Sequence, residues 1–165
     1  MYKKVVSYGL IVLVLATAAP TRAAEPDPAA TVVAFNQSLS ARKLDAALAL
    51  LAPGAVQYTL RAVHAGVTTP SGSITSDLKN HWRTVGPVLF GVTKRYDRVA
   101  RIEQTHSEGD LATVWATVSS KTVERSGKQR DDRFSEVYLL VRQDGSWKIG
   151  AIADNRGTDT RIVAD

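Results

Sequence analysis

The sequence predicts a single α+β domain, and three observations carry that expectation. Three short helical patterns precede four long β-rich runs, and Gly-containing pairs separate those runs. The length of 165 residues fits one domain with a sizeable core. A content of 44% hydrophobic and 22% charged residues is that of an ordinary globular chain and excludes a wholly disordered or collagen-like one. Zero cysteines exclude a disulfide framework, thiolate chemistry and zinc-finger ligation.

The N-terminus reads as an address. Lys3 and Lys4 precede an apolar stretch from Val5 to Ala19, followed by Thr21-Arg22-Ala23 and the polar run Ala24-Glu25-Pro26-Asp27-Pro28. A basic start, a short apolar middle and small residues at the end form the pattern of a secretory signal peptide. Ser7, Tyr8 and Gly9 interrupt the stretch, which is shorter than the roughly 18–20 apolar residues that span a bilayer. Cleavage after Ala23 is expected, giving an exported, periplasmic or secreted protein with no membrane attachment. Removing residues 1–23 takes Lys3, Lys4 and Arg22 and no acid. The formal charge of +5 then falls to +2, from 18 basic and 16 acidic residues. With that correction the sequence pI near 9.6 no longer argues for a nucleic-acid partner. The expected organisation is a signal at 1–23, a linker at 24–30, a domain at 31–157 and a flexible tail at 158–165.

The first element opens at Asp27-Pro28, a capping residue followed by a proline at the first helical position. Val32, Phe35, Asn36 and Leu39 then recur at helical spacing over 28–40. Leu44, Ala47, Leu48 and Leu51 give a second short helix over 42–51, turning a corner at Ser40-Ala41. From Ala55 to Val63, Val56, Tyr58 and Leu60 alternate with Gln57, Thr59 and Arg61, the period of a half-buried strand. Residues 64–75, rich in Gly, Thr, Ser and Pro, read as a long loop. Ser76-Asp77 caps a third helix over 77–85, with Leu78, Trp82 and Val85 on one face and Gly86-Pro87 as its stop. The long strands are expected at 94–107, 111–125, 132–143 and 146–154. Gly109-Asp110, Ser126-Gly127 and Asp144-Gly145 are the turns between them.

Two of these strands are apolar on both alternations. Ala112, Val114, Ala116 and Val118 oppose Leu111 and Trp115, while Val137, Leu139 and Val141 oppose Phe134, Tyr138 and Leu140. Three helices cannot cover both faces of such a sheet. A strong curl and a second subunit on the outer face are both expected.

The stretches AFNQSLSARKLDAALALLAPGAVQ (34–57) and SEVYLLVRQDGSWKIGAIADNR (135–156), with this element order, resemble the SnoaL-like group of the nuclear transport factor two-like superfamily. The first resembles that group's opening helices and the step into strand one; the second resembles its closing hairpin. Gly54 departs from the pattern, standing where such proteins often carry an acidic residue. The resemblance implies a cone-shaped, cystatin-like curved antiparallel sheet around the helices, an interior pocket, and frequent dimerisation through the outer sheet face. It implies no single activity, since the superfamily holds isomerases, dehydratases, epoxide hydrolases, polyketide cyclases and non-catalytic binding domains.

Members with activity place a carboxylate or a His–carboxylate pair in the pocket, assisted by Tyr or Arg, and an apolar pocket tunes such groups toward neutrality. The candidates here are Tyr58, on the Val56/Leu60 face; His81, beside Trp82; and Asp154, on the alternation of Gly150 and Ile152. His64 and Trp82 join Tyr58 as candidate ligand contacts. Glu136 shares the face of Phe134 and Tyr138. A structural cross-strand pair with Arg101, Arg142 or Arg156 is the simplest role for Glu136 and for Asp154. Lys94-Arg95-Tyr96-Asp97-Arg98 and Arg101 read as a solvated basic stripe. His64, His81 and His106 include no close-spaced pair, and there is no phosphate loop or nucleophile elbow, so no metal or cofactor is expected.

Three functions follow for comparison. One is an exported domain binding a small apolar or amphipathic molecule in its cone. Another is a cofactor-independent isomerase, dehydratase or cyclase using the same pocket. The last is a dimeric interaction module without catalysis.

Overall fold

The computed structural model describes residues 27–60, 63–64, 67–68, 73–156 and 161–163, so the expected export segment lies outside the described residues. The helices are α1 (Pro28–Ser40), α2 (Leu44–Ala49) and α3 (Leu78–Val92). The strands are β1 (Leu51–Thr59), β2 (Val63–His64), β3 (Val67–Thr68), β4 (Ser73–Thr75), β5 (Thr93–Glu108), β6 (Leu111–Glu124), β7 (Gln129–Gln143), β8 (Ser146–Asp154) and β9 (Arg161–Val163). One seven-stranded sheet runs β4-β1-β8-β7-β6-β5, with β9 paired to the start of β7. Every pairing is antiparallel except β1 with β8, which is parallel. Helix α1 touches β5, β6 and β8, while α3 touches both β1 and β5 near opposite edges of the sheet. Only a sheet curled around its helices permits those contacts, and this is the expected cone.

Local chemistry explains the helix ends. Asp27 accepts a hydrogen bond from the Ala29 amide at 2.9 Å, with Pro28 at the first position, and Asp77 accepts from Asn80 at 3.0 Å. Arg42, at φ 58°, ties the α1–α2 corner to the end of α3. Its guanidinium donates to the carbonyls of Phe90 (3.0 Å), Thr93 (3.1 Å) and Lys94 (2.9 Å). The interior core joins Val32, Phe35 and Leu39 of α1 to Leu48, Leu51, Leu78, Val114, Tyr138, Leu140, Trp147 and Ile149. Each large apolar side chain buried there contributes about 1.5–3 kcal/mol.

Four departures from the sequence expectation have identifiable causes. Helix α3 does not stop at Gly86-Pro87 but runs through both to Val92. Gly86 is buried against α2, where an added Cβ would lie 3.1 Å from Leu44 Cδ2, so the glycine serves close helix packing. Pro87 is exposed, so water can satisfy the carbonyl it leaves without a partner. Strand β1 begins at Leu51, four residues early, and its register against β8 breaks between Leu51 and Val56 around Gly54, at φ +71°. The expected loop at 64–75 contains the β2–β3 pair and β4. Three residues of the expected tail, Arg161–Val163, extend the sheet as β9.

Candidate functional site

The curled sheet separates two very different faces, and the polar residues of interest lie on the inward one. On β5, Tyr96 and Arg98 are buried and Ala100 and Ile102 half-buried, which sets their shared parity facing α1. On β7 the inward set is Asp132, Phe134, Glu136, Tyr138 and Leu140. On β8 an extra residue, Gly150, enters where Leu139 pairs Ala151 and Leu140 pairs Ile149. The bulge resets the alternation, so Trp147 and Ile149 before it and Ile152 and Asp154 after it all turn inward. An unbroken alternation through Gly150, Ile152 and Asp154 would instead put Trp147 and Ile149 on the opposite face.

A closed polar network spans three elements. Glu136 is fully buried and Arg98 is 3% exposed. An Arg98 Nη2 donates to Glu136 Oε1, and the Tyr138 hydroxyl donates to Glu136 Oε2. Asn36 of α1 donates to the Tyr138 hydroxyl at 3.0 Å and to the Val32 carbonyl at 2.9 Å, while its Oδ1 accepts from Arg98 Nε. Ser40 closes the network on the β5 backbone, accepting from the Arg98 amide at 2.6 Å and donating to the Arg98 carbonyl at 2.8 Å. Burial alone would raise the Glu136 carboxyl. The neighbouring Arg98 and Arg156 charges, with the hydrogen bonds from Arg98 and Tyr138, instead hold it below the usual carboxylate range. Burial, then the Glu136 charge, pushes the Tyr138 hydroxyl up. Burial pulls Arg98 down, but Glu136 more than offsets that, and Arg98 ends above its ordinary value. Glu136 is therefore an anion clamped in place, and Tyr138 a neutral donor.

A second group adjoins the first. Glu136 and Asp154 are direct partners across β7 and β8. Asp154 is 4% exposed; its Oδ2 accepts from Gln57 and from Thr59 (3.2 Å), and its Oδ1 accepts from the Arg156 amide (3.1 Å). The Arg156 guanidinium lies 4.5 Å from the Phe134 ring centre, with Nη2 3.6 Å from Glu136 Oε1. Arg98 approaches the same ring at 5.4 Å. Asp132 Oδ1 and Arg156 Nε are buried atoms without a hydrogen-bond partner.

The residues singled out from the sequence are not all brought together. Asp154 lies inside. Tyr58 stands on the outer face, 39% exposed, because the break around Gly54 turns Ala55, Gln57 and Thr59 inward; pocket lining is not what its position offers. His81 is exposed on α3, while its neighbour Trp82 is half-buried against the core. The side chain of His64 lies outside the described residues. Arg98, read as part of a solvated stripe, is the buried centre of the network. Its signal was its shared parity with Tyr96 and Ile102, and for Asn36 it was the helical spacing from Val32. Among the described residues no cluster of His, Asp and Glu is arranged to hold a metal ion, and no helix is long and apolar enough to cross a membrane.

No protein-family model matches the chain, and no curated protein sequence does. Solved structures do match. A candidate aromatic ring hydroxylase from Novosphingobium aromaticivorans superposes with a TM-score of 0.65 at 15% identity, covering 82% of this chain and 90% of that one. A ketosteroid isomerase-like protein from Erwinia carotovora atroseptica gives 0.60 at 16%, covering 79% and 94%. A candidate scytalone dehydratase from Novosphingobium aromaticivorans gives 0.63 at 10%, covering 83% and 85%. These likenesses show the fold, and the chain has the nuclear transport factor two-like cone.

Proposed function

We propose that this cone binds a small apolar or amphipathic molecule on its inward side, as an exported domain. The observation that carries the reading is the polar end of the interior. Side chains of β1, β5, β7, β8 and α1 converge there inside an otherwise apolar core, and Arg156 remains one-third exposed. The similar structures carry the names of a ketosteroid isomerase-like protein, a candidate scytalone dehydratase and a candidate aromatic ring hydroxylase, which supports the reading. A thermal-shift screen of apolar and amphipathic compounds tests it, because a ligand of the folded state raises apparent stability by mass action. A library without a single concentration-dependent shift would count against binding. Export rests on the N-terminal pattern; protein recovered from its host is expected to begin at Ala24, and a retained Met1 would refute cleavage.

Cofactor-independent proton transfer in the same interior is the second reading, favoured by the facing pair Glu136 and Asp154. Glu136 is committed as an anion to Arg98 and Tyr138, which leaves Asp154 as the acid–base candidate. Tyr58 and His81 lie apart from it, on the outer face and on the exposed side of α3. Asp154→Asn is expected to abolish any turnover while leaving binding; unchanged turnover would remove this role.

Homodimerisation is proposed through the outer face. Register places Ile74, Tyr58, Ala153, Val137 and Trp115 in one row across five strands, with Leu139 and Ala151 in the next. Ile74 is 72% and Trp115 51% exposed. Contiguous apolar surface on this scale marks interaction sites. Sedimentation is expected to give a dimer that Trp115→Glu dissociates; a monomer at high concentration would refute it.

A further inference from the structure

Arg156 is a member of the interior polar group whose guanidinium is only partly engaged. Its guanidinium is pinned from behind by the Phe134 ring at 4.5 Å, and its backbone amide is held by Asp154 Oδ1 at 3.1 Å. Its nearest carboxylate oxygen, Glu136 Oε1, is 3.6 Å away, within electrostatic reach but beyond a good hydrogen bond. That oxygen already accepts from Arg98, and its companion accepts from Tyr138. Arg156 Nε is buried without a partner, yet the side chain as a whole is 33% exposed. Arg98, 3% exposed, donates its hydrogen bonds to Asn36 and Glu136.

The contrast decides what Arg156 is for. Glu136 needs one guanidinium and one hydroxyl, and it has both from Arg98 and Tyr138. Arg156 adds its charge beside Glu136 but no good hydrogen bond to it, and stripping a guanidinium of part of its hydration without hydrogen bonds in return is unfavourable. A planar fork held rigid on an aromatic ring, with an accessible side, suits a carboxylate taken in bidentate fashion. The acids in contact with Arg156 are Glu136 and Asp154. The first is neutralised by Arg98; the second is held by Gln57, Thr59 and the Arg156 amide, so neither competes for the open side of the guanidinium.

We propose that Arg156 is the head-group anchor of the site and that the ligand class is an amphipathic carboxylic acid, its carboxylate on the Arg156 guanidinium and its apolar part toward the cone interior. This rests on the small-molecule reading above. The test compares sodium octanoate with 1-octanol by titration calorimetry against the full protein, its Arg156→Gln variant and its Arg156→Lys variant. A charged hydrogen-bonded pair predicts that octanoate binds the wild type at least about tenfold more tightly than octanol. The preference should vanish in Arg156→Gln and survive in reduced form in Arg156→Lys, which keeps the charge without the fork. Octanol binding the wild type as well as octanoate overturns the proposal without needing any variant to fold. So does an Arg156→Gln protein, folded by circular dichroism, that keeps the preference. Binding of neither probe overturns it together with the small-molecule reading, whereas equal binding of both leaves that reading standing.

Discussion

Strand β5 carries Arg95, Arg98 and Arg101 within seven residues, and the two faces of the sheet give them opposite roles. Arg95 and Arg101 face outward, with side chains 66% and 68% exposed, each paired to an acid two residues on, Asp97 and Glu103. Arg98 faces inward, is 3% exposed, and joins strands and helix through Asn36 and Glu136. Residue type and local sequence are nearly the same. Parity along the strand decides whether an ion pair is a solvated ornament or a buried junction.

The sharpest way to break the comparison is to remove the inner arginine. Arg98→Ala leaves the fully buried Glu136 without its main partner, and breaking such a pair costs about 3–5 kcal/mol. Urea unfolding should show that loss. The double replacement Arg98→Met with Glu136→Leu should be more stable than Arg98→Ala, because no charge is then stranded. If Arg98→Ala proved no worse than Arg101→Ala, the junction would have no special weight.

Tyr138→Phe tests the same network with a gentler change. The hydroxyl donates to Glu136 and accepts from Asn36, and both groups stay buried after its loss. A cost of about 1–3 kcal/mol is expected from leaving them short of a partner. The pH dependence follows from the sign of the Glu136 shift. Its folded value lies below its unfolded one, so its contribution is fully present above the unfolded value and is lost as pH falls through the folded one. In that acid window the unfolded chain binds more protons, and the wild type should lose stability more steeply than Glu136→Gln. Parallel acid curves would show that Glu136 is not held down.

How much of this was legible beforehand depended on which physical signal carried each feature. The element order, the two-sided apolar pattern of β6 and β7, and the Asp144-Gly145 turn were legible because alternation and turn chemistry are local. Both of those turn residues have positive φ, 50° and 72°, as a two-residue hairpin turn demands. The inner site was harder because two irregularities, the register break between Leu51 and Val56 around Gly54 and the one extra residue at Gly150, reset which side chains turn inward. A shift by an odd number of residues flips a strand's faces. The break in β1 left Tyr58 outside, and the one-residue bulge in β8 brought Trp147 and Asp154 to the same side. Arg98 was hidden by its neighbours: a basic stripe in sequence is split by the pleat into an inner and an outer set.

The outer pairs set the lower bound of the comparison. Arg101 Nη2 lies 2.7 Å from Glu103 Oε1, a good distance, yet both side chains are in water, 68% and 40% exposed. An exposed pair gains little over hydration and loses side-chain freedom, so Arg101→Ala should shift unfolding by no more than about 0.5 kcal/mol. Raising the salt concentration should erase most of that, since exposed charges are screened. The Arg98→Ala penalty should persist in the same salt, because a stranded buried carboxylate is poorly screened. Measuring both variants at low and high salt therefore separates the two faces by mechanism as well as by size. A salt-sensitive Arg98 penalty would place that arginine with its outward neighbours.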